Sequence, residues 1–96
     1  MNPTGEAPLS IAIIGLGLIG GSMAKALARH GGYRIYGADR DLAAVAWMRE
    51  VGAIAGEAGP DVLSRSDLVI LALPPEACIA VLREIRDHLR PGTLVT

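Results

Sequence analysis

Short, almost wholly apolar runs alternate along this chain with longer segments whose apolar residues recur at helical spacing, and glycine or proline stands at most boundaries. Residues 10–14 (SIAII) are β-branched and apolar, as expected of a strand covered on both faces in a parallel sheet. Across 19–30, Ile19, Met23 and Leu27 fall at i, i+4 and i+8, predicting a helix that ends at Gly31 and Gly32. Residues 33–38 (YRIYGA) read as a second strand. Asp41 then reads as the cap of a helix with Ala44, Trp47, Met48 and Val51 on one face and Gly52 as its stop. The pattern weakens over 53–66, where a very short third strand falls near Ile54 and Ala55 and a helical turn over 61–64. Residues 67–73 (DLVILAL) are another buried strand, stopped by Pro74 and Pro75. Residues 76–89 carry Ile79, Leu82, Ile85 and Leu89 as a helical stripe, Arg90, Pro91 and Gly92 break it, and 93–96 begin a fifth strand. Strands alternating with helices at this spacing predict an α/β fold, a doubly wound parallel sheet with right-handed crossovers and strand order 3-2-1-4-5. Pro3, Gly5 and Pro8 among polar residues make 1–8 a disordered lead-in to a single domain over 9–96.

Composition narrows the function classes. The 96 residues are 51% apolar and 20% charged, enough for an ordered core and too few for two domains. Nine Lys and Arg against ten Asp and Glu are scattered through both halves, so no basic stripe for nucleic acid is present. Trp47, Tyr33 and Tyr36 are the whole aromatic complement, too little for a base-stacking platform. One cysteine, Cys78, and two histidines offer neither a disulfide nor a metal cluster. No apolar run approaches the ~18 residues of a membrane span, and the first residues lack the basic and apolar regions of a signal peptide. A cytoplasmic location with no membrane partner is the expectation.

The chemistry concentrates at the first strand–helix junction. Gly15-Leu16-Gly17-Leu18-Ile19-Gly20 is a G-x-G-x-x-G, a weak signal alone in a chain with 12 glycines. Here it leaves the first strand, opens the first helix and is followed by Asp39 at the end of the second strand, the spacing of the Rossmann-type dinucleotide fingerprint. Gly15 permits a sharp turn, Gly17 lets backbone approach a pyrophosphate, and Gly20 lets the helix lie close to the sheet. Backbone N–H groups around Leu18 and Ile19 would then meet the phosphates at the positive end of the helix dipole. A carboxylate at Asp39 can accept from both hydroxyls of the adenosine ribose, whereas a 2′-phosphate would remove one donor and add about −2 of charge. NAD is therefore expected ahead of NADP. Arg40 could stack on adenine or pair with a 2′-phosphate, and stacking is preferred. Leu73, Pro74 and Pro75 leave the fourth strand beside the first, where ligands bind in such sheets, and would form a stiff apolar wall near the nicotinamide ribose.

The other polar candidates read as structural. His30 and His88 end their helices, His30 roughly 15 Å from the phosphate end by helical rise. Cys78 reads as a small packed residue, Trp47 as core or interface, and Ser22 has no histidine or aspartate within reach for a nucleophilic role. No catalytic or metal-binding residue is assigned.

GLGLIGGSMAKAL (15–27), YGADRD (36–41) and SDLVILALPP (66–75) together resemble the N-terminal domain of the prephenate and arogenate dehydrogenase family of tyrosine biosynthesis. The resemblance runs from about Leu9 to Thr96. The doubled Gly20-Gly21 followed by Ser22 is typical of that family, while related hydroxyacid dehydrogenases usually show methionine near the position of Ile19. The resemblance implies oxidative decarboxylation of prephenate or arogenate with hydride passed to NAD or NADP, in a homodimer. It matches the glycine loop to Gly15, Gly17 and Gly20 and the ribose-selecting acid to Asp39. The family continues past its Leu-Val-Thr strand into an Asp-x-Gly-Ser loop, catalytic serine and histidine residues and a helical dimerisation domain. On that pattern the chain stops inside the fifth strand, binds NAD and does not turn over substrate. Another 3-hydroxyacid-type dehydrogenase and a stand-alone nucleotide-binding or redox-sensing module are the alternatives.

Overall fold

A computed structural model describes residues 8–96. The lead-in expected over 1–8 thus falls, up to residue 7, outside the described residues. Five strands form one parallel sheet: β1 (Leu9–Ile14), β2 (Tyr33–Ala38), β3 (Gly56–Glu57), β4 (Leu68–Leu71) and β5 (Leu94–Val95), in the order β3-β2-β1-β4-β5. Between them run α1 (Leu18–His30), α2 (Leu42–Glu50), α3 (Pro60–Ser64) and α4 (Pro75–Ile85), the last extended by a 3-10 turn over Arg86–His88. This is the doubly wound order expected from the alternation of elements.

The sheet is held by burial on both faces. Strand β1 is central, paired along its whole length with β2 and over Ile11–Ile14 with β4. Because side chains alternate along a strand, Ile11 and Ile13 pack with Ile35 and Ile70 against Ala24 of α1 and Val45 and Met48 of α2. Ala12, Ile14 and Val69 face the other way, onto Val62 and Leu63 of α3 and Ile85 of α4. The register aligns Ile14 with both Ala38 and Leu71, so β1, β2 and β4 end together and their following loops share one edge of the sheet. At the opposite edge Asp67 accepts a hydrogen bond from the Ser10 N–H and pairs with Arg90, tying β1 and β4 to the turn before β5.

Several helical faces differ from those the periodicity predicts. Helix α1 packs through Gly20, Gly21 and Ala24, with Ile19 73% and Met23 39% exposed and Leu27 at the margin of the contact. Small residues bring the helix close to the sheet, while a pattern analysis follows large ones. Helix α2 buries Val45 and Met48, and Trp47 is 58% exposed, so Trp47 is not part of the core. On α4, Ile79 and Leu82 are exposed and Ile85 alone is buried. The third strand lies at Gly56–Glu57, two residues beyond the expected Ile54 and Ala55. Ile54 is buried at 3% exposure, but inside the core and outside any ladder, so its apolarity reports packing. Among the described residues no helix is long and apolar enough to cross a membrane.

Candidate functional site

The loops at the shared edge are locked to one another by backbone geometry. Gly15 leaves β1 with φ of 101°, a conformation open to glycine, and its N–H donates to the Ala38 carbonyl at 2.8 Å. The Ala72 N–H donates to the Ile14 carbonyl at 2.8 Å, so the chain leaving β4 is fixed beside the same turn. Gly20 then sits so close beneath Gly15 that a Cβ on it would lie 1.8 Å from the Gly15 carbonyl oxygen. Gly17, the N-cap of α1, would place a Cβ with no atom within 4 Å, in open space at the rim. No side chain caps α1, and its first-turn N–H groups have no partners inside the helix.

Asp39 is fixed at the end of β2. Its Oδ2 accepts from the Leu16 N–H at 2.7 Å and its Oδ1 from the Asp41 N–H at 2.8 Å. Asp41 in turn caps α2, its Oδ1 accepting from Ala43 at 3.0 Å and Ala44 at 3.4 Å. A carboxylate has roughly four lone-pair sites, so each oxygen of Asp39 keeps acceptor capacity beyond its backbone bond.

Two cavities open on this edge. One, of about 370 Å³, is walled by Gly15, Asp39, Arg40, Leu73 and a face of α4. The other, of about 580 Å³, is walled by Gly17, Leu18, Ile19 and Gly20 on one side and Leu71–Pro74 on the other. Leu73 borders both. Nine of the ten residues singled out in the sequence as cofactor-binding line one or both cavities. Pro75 does not line either: it is the exposed first residue of α4, where a missing N–H costs nothing.

Residues that sequence reasoning missed include one face of α4. Ala77, Val81 and Glu84 line the smaller cavity. Their i, i+4, i+7 spacing could have shown a shared face, but the larger Ile79 and Leu82 dominated the pattern. The bond from Leu16 to Asp39 joins residues 23 apart and carries no local signal. Of the residues read as structural, Cys78 donates its thiol to the Leu73 carbonyl at 3.3 Å, Ser22 donates to the Leu18 carbonyl at 2.6 Å, and His30 stacks on Tyr33. Among the described residues no group of acidic, histidine or cysteine side chains could hold a metal ion.

The arrangement fits a dinucleotide. The first-turn N–H groups of α1 lack partners inside the helix, the Asp39 carboxylate keeps acceptor capacity, and the two cavities beside them share Leu73 as a wall, as a dinucleotide's phosphates and ribose would require. Fold and site together define an NAD(P)-binding oxidoreductase domain. The sequence pattern of the family described as NADP oxidoreductase coenzyme F420-dependent matches residues 10–96, and the chain belongs to that family.

Solved structures agree. Arogenate dehydrogenase from Synechocystis is 26% identical, with a TM-score of 0.84 over 91% of this chain and 31% of that one. The 3-hydroxyisobutyrate dehydrogenase of Mycobacterium tuberculosis, solved with L-serine, is 28% identical, with a TM-score of 0.82 over 92% and 30% of the two chains. Prephenate dehydrogenase from A. aeolicus, solved with hydroxyphenyl propionate and NAD+, is 25% identical, with a TM-score of 0.80 over 95% and 33%. The chain therefore spans about a third of the length of these proteins. No curated protein matches it.

Proposed function

We propose that this domain binds NAD in preference to NADP and is the cofactor-binding part of a cytoplasmic dehydrogenase acting on prephenate or arogenate in tyrosine biosynthesis. The observation that carries the cofactor preference is the Asp39 carboxylate, held beside the glycine loop on the wall of the smaller cavity. Support for the substrate class comes from the likeness to arogenate and prephenate dehydrogenases, together with the Gly20-Gly21-Ser22 run. The likeness to a 3-hydroxyisobutyrate dehydrogenase supports a 3-hydroxyacid substrate as the second reading.

Bound NAD supplies a hydride acceptor; this chain's residues hold and orient it. The larger cavity is walled by glycine, alanine, proline and aliphatic side chains, with no group able to take a proton from a substrate hydroxyl. Two results follow for the 96-residue chain. Titration calorimetry is expected to show NAD binding at least tenfold tighter than NADP, and equal affinities would overturn the NAD preference. Incubation with NAD and prephenate or arogenate is expected to yield no NADH, read at its absorbance band, and measurable production would show that the chain holds its own proton acceptor.

Assembly as a homodimer belongs to the same proposal. On the α1 side of the sheet a cavity of about 470 Å³ is bounded almost wholly by apolar groups, including Leu9, Met23, Leu27, Leu68 and Ile70, and Leu94 stands exposed nearby on β5. Exposed apolar surface beside an unpaired strand edge favours association. In a solution of this chain alone the available cover is a second copy. Light scattering is expected to show dimers or larger species as concentration rises, and a clean monomer at high concentration would count against this.

A further inference from the structure

We propose that Glu84, on α4, is a second determinant of cofactor choice, acting with Asp39 to exclude a 2′-phosphate. The inference rests on the dinucleotide reading above and deepens it.

Glu84 lies 45 residues beyond Asp39, yet the fold brings both to the wall of one cavity, with Arg40 as its third charged residue. The rest of that wall is glycine and aliphatic side chains. Two carboxylates and one guanidinium give it a formal charge of −1, from +1 − 2. The pyrophosphate position at the start of α1 and the ribose position at Asp39 place the adenosine end of a dinucleotide in this cavity. A 2′-phosphate would then enter a chamber whose net charge is already negative.

Arg40 is the reason Glu84 matters. Arginine beside the ribose-binding acid is the natural partner of a 2′-phosphate and could offset the repulsion from Asp39. Among the described residues the ion pair found is Arg90 with Asp67, so none of the described carboxylates holds Arg40. Its charge is free to act across the cavity, where Glu84 opposes it. Ala77 and Val81, both half-buried, share that face of α4 with Glu84. Of the three, Glu84 is the exposed one. There it needs no hydrogen bond to act, since repulsion between like charges reaches across roughly 10 Å at about 0.1 M salt and farther as salt is lowered. Asp39 is fixed by its bonds to Leu16 and Asp41 and selects through contact; Glu84, exposed on its helix, selects through charge.

The test is titration calorimetry of the 96-residue chain with NAD and with NADP at low salt, for the wild type, Glu84→Gln and Glu84→Lys. Glu84 is exposed, so both variants should keep the wild-type fold by circular dichroism. Glu84→Gln is expected to tighten NADP roughly three- to tenfold relative to NAD. Glu84→Lys should tighten NADP further, and both gains should shrink when salt is raised several-fold. An NAD-to-NADP affinity ratio unchanged in both variants would overturn the inference while leaving the dinucleotide reading intact, including the case where both cofactors weaken equally because Glu84 contacts the shared adenine. Failure of the wild-type chain to bind either dinucleotide would overturn that reading and this inference with it.

Discussion

Replacing Gly20 with alanine is expected to destabilise the domain by about 3 kcal/mol or more and to abolish NAD binding with it. The added Cβ would lie 1.8 Å from the Gly15 carbonyl oxygen, 2.9 Å from its carbon and 3.0 Å from the Ala72 Cβ. Two of these atoms are backbone, in a turn fixed by hydrogen bonds to Ala38 and between Ala72 and Ile14, so no flexible side chain can move aside. Helix α1 would have to lift from the sheet. Overpacking in a close-packed region costs about 1–3 kcal/mol and sometimes more, and a contact this short belongs at the upper end. Alanine's better helix propensity returns at most ~1 kcal/mol. Against a usual total stability of about 5–15 kcal/mol, much of the chain could unfold at ambient temperature. Urea denaturation followed by circular dichroism checks this, and a wild-type midpoint would refute the close-packing role of Gly20. Gly17→Ala is the matched control: with nothing within 4 Å and φ of −71°, the loss should be confined to the poorer N-cap, about 1 kcal/mol. NAD affinity should nevertheless fall more than tenfold, because the methyl group would occupy the space through which a pyrophosphate approaches the backbone.

That contrast shows which parts of the site the sequence carries. The glycine loop and Asp39 are legible because each job requires one residue type at one spacing from a strand end: a positive φ at Gly15, open space at Gly17, close contact at Gly20. Strands β1 and β4 are legible because burial on both faces leaves unbroken apolar runs. Strand β3 is not, since two residues paired with β2 at the sheet edge need no apolar pattern, and the nearby Ile54 is buried without pairing. The helix faces fail for a different reason. Close packing through Gly20, Gly21 and Ala24 looks weak to any count of large side chains, and Ile79 or Trp47 looks like core though each is more than half exposed. Glu84 is hidden most thoroughly. A charged residue on an amphipathic helix reads as solvent face, and only the folded chain shows that this part of α4 borders the cavity holding Asp39.

Asp39→Asn should lower NAD affinity about ten- to a hundredfold and also weaken the fold by about 1–3 kcal/mol, two losses with separate causes. The carboxylate accepts from two backbone donors, Leu16 through Oδ2 and Asp41 through Oδ1. Asparagine has one carbonyl oxygen and one NH₂ group, so whichever way the amide turns, a donor faces a donor at one of these sites. If Leu16 loses its acceptor, a buried N–H is left unpaired, at a cost of about 1–3 kcal/mol. If Asp41 loses it, the start of α2 loosens, because Asp41 is its cap. The binding loss arises at the remaining lone pairs: hydrogen bonds to a charged acceptor contribute about 1.5–3 kcal/mol each, and the amide is uncharged and offers fewer acceptor sites to the ribose hydroxyls. Because removing the charge also removes repulsion toward a 2′-phosphate, NADP should weaken less than NAD, and the preference should narrow. Calorimetry with both cofactors, alongside thermal unfolding without ligand, separates the two effects. Unchanged unfolding with reduced NAD affinity would confine Asp39 to ribose recognition, whereas unchanged NAD affinity with reduced stability would reduce it to a clasp between β2 and the glycine loop.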